Sequence, residues 1–384
     1  MPRRSLGFAM RDAAGYWWLK YLMIVSIATV LFTSVPSVLI YEEVVLPPAY
    51  ELKAQHPLAD TSNLTIPRQL GEKSHGAKLT PRLAGSLLLY WAKKLSLHPY
   101  LPATLFGIIF LFSGIWIGYQ VTGDRLIGLF VGMTFAGLSA AAASFSIVGT
   151  PKPFDGVAIG LLGMTMISAR RHWLLAILSF LSCWTDERAI ISLFFIACLV
   201  IAWPAFDSRA ALSRCLTIAG AVGAYLVTRL ALSAVLGWGT PDFSYVGVPP
   251  GALLFSPLAV WSCFEGGLIA IVMAVLVLCK HRDYAGLFLL VGSIVVAVVP
   301  CVLVLDLSRT SSFAFPVIPM CYALLKRHGA TTHELRSLAG TAGVISLLAP
   351  NFKIITGITV QWVPSFLPGL FGDGPWSTEL FKMG

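Results

Sequence analysis

The chain has 384 residues, 57% of them hydrophobic and 12% charged, with a mean hydropathy of +0.80. A soluble domain carries about 25% charged residues, so the composition excludes a soluble globular protein and points to a polytopic membrane protein of the all-α class. The net charge of +9 would suggest nucleic acid in a soluble chain. Here the basic residues collect at the ends of apolar runs, where orientation and anionic headgroups account for them, and no nucleic-acid partner is expected.

The N-terminus, MPRRSLGFAMRDAAGYWWLKYLMIVSIATVLF, has the basic start of a signal peptide. Its apolar run is long and lacks a small-residue cleavage site, so it reads as a retained first span, Trp18 to Ile40. Residues 41–100 form a long first extracytoplasmic loop within a single integral membrane domain, 1–384. The sequon Asn63-Leu64-Thr65 in that loop matters only in a eukaryotic secretory pathway. Ten further apolar runs follow: Leu101 to Val121, Leu126 to Val148, Phe154 to Ser168, Trp173 to Trp184, Ala189 to Phe206, Cys215 to Leu236, Pro257 to Cys279, Ala285 to Leu305, Phe313 to Leu325 and Leu338 to Ile358. With the first they predict a transmembrane helical bundle of about eleven spans, several of them short of the roughly 20 residues a span needs.

The charges at the joints fix one orientation. With a cytoplasmic N-terminus, the inner joints carry Arg3, Arg4, Arg11 and Lys20, then Arg125, Arg170 and Arg171, Arg209 and Arg214, Lys280 and Arg282, and Lys326, Arg327 and Arg336. The short outer joints hold only Lys152, Arg188 and Arg309, as the positive-inside rule requires. An odd number of spans then places the C-terminus outside.

On that outer face the stretch LSCWTDERAIIS is conspicuous. The helix before it, Trp173 to Trp184, is only about 18 Å long against a hydrocarbon core of about 30 Å, so Asp186, Glu187 and Arg188 should sit below the surface. Charges at that depth must face protein or a wet cavity. They form either a functional cluster or a cap on the helix hairpin in which an acid pairs with Arg188.

Arg229 and Glu265 lie inside spans at matching depths. Consecutive antiparallel helices would let them pair, and the pair either ties two helices together or lines an outward cavity. Asp306 and Arg309 stand at the mouth of the next helix beside Ser308, Thr310, Ser311 and Ser312. That setting suits a phosphate or carboxylate, or else an Asp-Arg turn with a helix cap.

The seven cysteines, Cys183, Cys198, Cys215, Cys263, Cys279, Cys301 and Cys321, lie in or at the ends of apolar runs and read as small buried hydrophobes. No nucleotide-binding, hydrolase-elbow or zinc-protease motif occurs, and no histidine has metal-ligand spacing. Gly128, Gly132 and Gly137 have the spacing that lets helices pack closely.

Several pieces together resemble a known family. A first span runs directly into the acidic pair of LIYEEVV, and a long outer loop closes on TPRLAGSLLLYWAKKL, an amphipathic helix suited to the membrane interface. Many short-looped spans follow. TPKPFDGVAIGLLGMTMISARRHWLLAILSFLSCWTDERAIIS and DLSRTSSFAFPVIP complete the likeness to the membrane-embedded GT-C glycosyltransferases. That family typically shows at least one Asp in the acidic pair and Thr-Arg-Glu in place of Thr185-Asp186-Glu187-Arg188.

The resemblance implies transfer of a sugar from a polyprenyl-phosphate carrier on the outer face of a bacterial inner (plasma) membrane. Glu42 or Glu43 would be the base, with Arg309 and Arg82 on the departing phosphate. Asp155 and Asp186 would orient the acceptor or a divalent metal. Beside what the resemblance implies, Glu187 is a further catalytic candidate and Lys152, Arg188, Arg229, Glu265 and Asp306 are candidate substrate-binding residues; in a transporter Arg229, Glu265 and the Thr185–Arg188 cluster would line the path. The partners implied are membrane lipid, the lipid-linked donor and other subunits of a membrane complex. Two other readings remain: a transporter or flippase of lipid-linked saccharides, and a noncatalytic subunit of an envelope polysaccharide assembly.

Overall fold

The computed structural model describes residues 82–95, 101–141, 153–236, 252–303 and 312–349, and the backbone of 351–355, 359–363 and 379–382. The expected first span lies outside the described residues. Those described form twelve α-helices: α1 Leu83–Lys94, α2 Leu101–Thr122, α3 Arg125–Gly137, α4 Pro153–Ile167, α5 His172–Thr185, α6 Ala189–Ala202, α7 Ser208–Leu236, α8 Ala252–Phe264, α9 Gly267–His281, α10 Tyr284–Leu303, α11 Val317–Arg327 and α12 Thr332–Leu348. A short 3-10 turn, Ser312–Ala314, precedes α11.

The body is all-helical, and each expected span from Leu101 onward overlaps a helix. Two stretches, Leu105–Thr122 in α2 and Ser208–Val235 in α7, are long and apolar enough to cross a membrane. They differ in setting. More than half of the α2 stretch is buried, whereas only 17% of the α7 stretch is, so α7 presents Leu216, Val227, Leu230 and Val235 outward.

Three expected spans are cut differently. The run Leu126 to Val148 is interrupted at Leu138, whose extended backbone ends α3 at Gly137. The run Pro257 to Cys279 is not one helix: it breaks at Glu265-Gly266, between α8 and α9. Glycine is the poorest helix former after proline, and Gly266-Gly267 place two in succession. The last span was expected to reach Ile358, but α12 ends at Leu348 because Pro350 cannot continue it and disfavours helix at the residue before it. The β-branched stretch that follows gives a small antiparallel sheet, β1 Asn351–Ile355, β2 Thr359–Val363 and β3 Glu379–Lys382, with Asn351 opposite Val363 and Ile355 opposite Thr359.

The core forms where α2 packs between α3 and α4, α3 packs on α12, and α11 packs on α6 and α9. Phe110, Phe135 and Phe315 meet at its centre, with ring centroids 4.9–5.6 Å apart. The α2–α3 approach depends on glycine: a Cβ at Gly128 would lie 2.6 Å from the Ile115 carbonyl oxygen. Gly128→Ala should therefore destabilise the protein by about 1–3 kcal/mol through forced backbone separation, read as a lower thermal midpoint in detergent.

The basic joints are tied to one another in two groups. At one end Asp124 caps α3 and pairs with Arg336 at 2.6 Å, the Lys326 ammonium donates to the Thr122 carbonyl, and His328 meets Asp283 at 2.8 Å. The α2–α3, α9–α10 and α11–α12 joints are thus tied together. Arg214 donates to the Ala169 carbonyl at 2.7 Å and stacks on Phe206, tying the α4–α5 joint to the α6–α7 joint.

The Arg336 guanidinium holds the Asp124 carboxyl below the usual carboxylate range. A depressed folded-state value stabilises above the unfolded value of about 3.9, and that stability is lost as pH falls through the folded value. The thermal midpoint of the parent should consequently fall more than that of Asp124→Asn between about pH 6 and about pH 3.

Candidate functional site

At the opposite end from the basic joints, five charged side chains converge from distant parts of the chain. Asp155 comes from the first turn of α4, Asp186, Glu187 and Arg188 from the α5–α6 joint, and Arg82 from the residue before α1. Arg188 makes a two-point contact with Asp186, Nε to Oδ1 at 2.9 Å and Nη2 to Oδ2 at 2.7 Å, and the same Nη2 reaches Asp155 Oδ1 at 2.7 Å. Arg82 forks onto Glu187 at 3.2 and 3.0 Å and also meets Asp186 Oδ2 at 3.0 Å. Asp186 is the hub, held by both guanidiniums.

A hairpin cap alone would involve only neighbours in sequence. Asp186 does terminate α5, and its carboxylate accepts from the Arg188 backbone N–H at 3.0 Å, so a local cap exists. The contacts to Asp155 and Arg82 extend it across α1, α4, α5 and α6. This is a network, built on the cap.

Burial grades the cluster. The Asp186 side chain is fully buried and that of Asp155 nearly so, while Glu187 keeps 40% of its side-chain surface accessible. Burial opposes charge on Asp186, but the Arg188 and Arg82 guanidiniums outweigh it and hold this joint carboxyl below the usual carboxylate range. Among the described residues the cluster sets three carboxylates against two guanidiniums, a formal excess of one negative charge. Glu187 is where that charge meets solvent.

Helix lengths recess the cluster. His172 at the start of α5 bonds Thr217 of α7 at 3.0 Å, and Trp184 at its end packs edge-on against Tyr225, so α5 and α7 run side by side. From Leu226 to Leu236 α7 continues past that level, about 16 Å further at 1.5 Å per residue. The α5–α6 joint therefore stops well short of the end of α7.

The 3-10 turn closes another side. The Ser192 hydroxyl of α6 donates to the Phe313 carbonyl, the Phe313 ring lies 4.9 Å beneath the Arg188 guanidinium, and Ser312 meets Ser139 at 3.3 Å. This turn directly follows the Asp306–Arg309 stretch in sequence. Nothing in the sequence pattern marked Phe313 or Ser192 for this position.

Helix α1 lies across α4 and α5 beside the cluster. Leu87, Trp91 and Leu95, spaced by four, form an exposed apolar stripe along it, with the Lys94 ammonium over the Trp91 ring at 4.9 Å. A helix is present where one was expected, with Leu87, Trp91 and Leu95 exposed.

The expected Arg229–Glu265 pair does not form. Arg229 instead donates to the Tyr225 hydroxyl one turn back on its own helix, and both oxygens of the fully buried Glu265 lack any hydrogen-bond partner among the described residues. The reason is helix adjacency. α7 packs on α5 and α6, while α9 packs on α10, α11 and α12, so consecutive order in the chain does not make these helices neighbours.

Arg82 differs from expectation as well, its fork being occupied by Glu187 and Asp186. Asp155 and Asp186 already share the positive Arg188, an arrangement that does not suit a divalent metal between them. Among the described residues no group of three or more metal-binding side chains is placed to hold one. Glu42, Glu43, Lys152, Asp306 and Arg309 lie outside the described residues.

The cysteines largely follow expectation. Cys183, Cys198, Cys263 and Cys321 are buried, and Cys215 is half-buried. Cys279 is exposed, near the end of α9.

Compared with family models, curated proteins and solved structures, the chain finds no match in any of the three.

Proposed function

We propose that the chain is an integral membrane glycosyltransferase of the GT-C kind, moving a sugar from a polyprenyl-phosphate carrier to an acceptor on the outer face of a bacterial plasma membrane. The observation that carries this reading is the recessed cluster of Arg82, Asp155, Asp186, Glu187 and Arg188, a charge-dense floor with one accessible carboxylate. An active carboxylate must lie within hydrogen-bond reach of the acceptor hydroxyl. Glu187 is the cluster member open enough to meet one, with Glu42 or Glu43 the other candidates for the base.

The two arginines of the cluster act in this reading as positioning residues. Arg82 holds Glu187 in one orientation, and Arg188 locks the two aspartates beneath it. The cations on the departing phosphate would then be Arg309 and Lys152, which lie outside the described residues. The exposed stripe Leu87, Trp91 and Leu95 on α1 supports a lipid-facing entry for the carrier.

The same reading takes the helices as a bundle of about eleven spans with the N-terminus cytoplasmic. The outward apolar surface of α7 supports a lipid environment. A cysteine placed at Ser5 should resist an impermeant maleimide in intact cells, whereas one at Ser377 should react. Labelling of Ser5 from outside would reverse the orientation and remove the site from the outer face.

To test donor binding, a photoreactive polyprenyl phosphate would be irradiated with the reconstituted protein and the adduct mapped. Attachment is expected within Arg82–Leu95 or beside Ser312, competed by unlabelled polyprenyl phosphate. Uncompeted, scattered attachment would count against a donor site.

A transporter gains support from one observation, the broken α8–α9 helix, since broken helices form ion and substrate sites in such proteins. The charge cluster favours the transferase, because it gathers at one end of the bundle.

A further inference from the structure

Glu265 was expected among the substrate-binding residues, but it is not one of the charged side chains that converge on Arg188. It follows α8 at the break before α9, and its backbone φ of 42° places a side-chain-bearing residue in the left-handed region. The residue is fully buried, and neither carboxyl oxygen has a hydrogen-bond partner among the described residues.

The surroundings are close-packed and poor in donors. The Gly266 N–H donates to the Ser346 hydroxyl at 3.1 Å, and a Cβ at Gly266 would run into the Ala342 carbonyl of α12. Gly267 sits against Ile318 of α11, with Thr134 of α3 beyond. The nearest titratable side chains on the adjoining stretches are Cys263 of α8 and Cys321 and Tyr322 of α11. The charged and imidazole groups of α3, α9, α11 and α12, namely Arg125, Lys280, His281, Lys326, Arg327, His333, Glu334 and Arg336, lie at the basic end, α10 carries no charged residue, and β1, which packs on α8, brings Lys353.

Among the described residues an ionised carboxylate here would lack both a counter-ion and a hydrogen-bond donor, a state proteins avoid by keeping such a group neutral. A hard metal cation would need about six oxygen ligands. The neighbours named, Ser346 and the Ala342 carbonyl, are too few. A proton needs only the carboxyl itself.

We propose that Glu265 is a proton-binding site built into the α8–α9 break. In the closed form it holds its proton as the neutral acid. It releases that proton to water, leaving the carboxylate, only when α8 hinges away from α9 and the break is wetted. Proton occupancy and the hinge are thereby linked, independently of sugar transfer.

The test uses the purified full chain in lipid nanodiscs and a hydrophobic carbodiimide, which adds to a carboxylic acid and rearranges to a stable N-acylurea, all atoms retained. At about pH 7, where ordinary glutamates are ionised, the expected result is an adduct mapped to Glu265 by peptide mass, lost in Glu265→Gln. A water-soluble carbodiimide should label Glu187 and spare Glu265. Should the glutamine variant fail to accumulate, the parent still decides: its infrared spectrum should show a carboxylic-acid carbonyl that shifts in heavy water, and the adduct map needs no variant. Absence of the Glu265 adduct, or equal modification of Glu265 by the water-soluble reagent, overturns the site.

Discussion

Arg188→Met should destabilise the protein by about 3–5 kcal/mol, enough to empty the membrane fraction of folded chain, because it leaves buried carboxylates without their counter-charge. The side chain it removes contacts Asp186 twice and Asp155 once, from a position over the Phe313 ring. Asp186→Asn should be similarly severe, since Asp186 has no exposed side-chain surface and serves both guanidiniums. Pairing Arg188→Met with Asp155→Asn and Asp186→Asn should recover part of the loss, because neutralising both sides of the Arg188–aspartate contacts is milder than removing the cation alone, and Arg82 keeps Glu187. Detergent thermal-shift curves and membrane yield would measure all of these. Full accumulation of Arg188→Met would mean that the network contributes nothing to the fold.

Glu187→Gln should do the opposite, leaving the fold in place and removing the activity. Glu187 keeps 40% of its side-chain surface accessible, and its contact with Arg82 is the outermost of the cluster. Arg82 is buried but keeps its contact with Asp186, and the glutamine retains a side-chain oxygen for the Arg82 fork, so the thermal midpoint should move far less than in Arg188→Met. If this carboxylate takes the proton from the acceptor, its amide cannot, and kcat should fall about 10²–10⁴-fold. Retention of activity in Glu187→Gln would pass the base to Glu42 or Glu43. Loss of activity with loss of fold would make Glu187 part of the scaffold.

Much of this was legible because charge is so rare in the sequence. In a chain with 12% charged residues, the run Asp186-Glu187-Arg188 between two apolar segments could be given a depth, and Asp155 shared its face by joint counting alone. The length of α5 carried the depth argument, and the continuation of α7 past Tyr225 bears out its premise that α5 is short. The helices themselves follow from apolar run length.

Lateral adjacency was not legible. Arg229 and Glu265 match in depth, but depth says nothing about which helices touch, and α7 and α9 choose different neighbours. The break at Glu265 was masked by the continuous apolar character of Pro257 to Cys279, where only Gly266-Gly267 signalled it. Arg82 was read as a phosphate ligand because an arginine ahead of an amphipathic helix looks available. Its fork is filled by acids about a hundred residues away, a pairing no local pattern encodes.

The fate of the donor lipid in sealed proteoliposomes tests the sugar-transfer assignment most directly. With a panel of labelled polyprenyl-phosphate sugars on the outer leaflet and candidate glycan or peptide acceptors outside, the expected result is free polyprenyl phosphate forming together with a glycosylated acceptor, abolished in Glu187→Gln. Passage of the intact lipid-linked sugar to the inner leaflet, with no free polyprenyl phosphate formed, would contradict the transferase and identify a transporter.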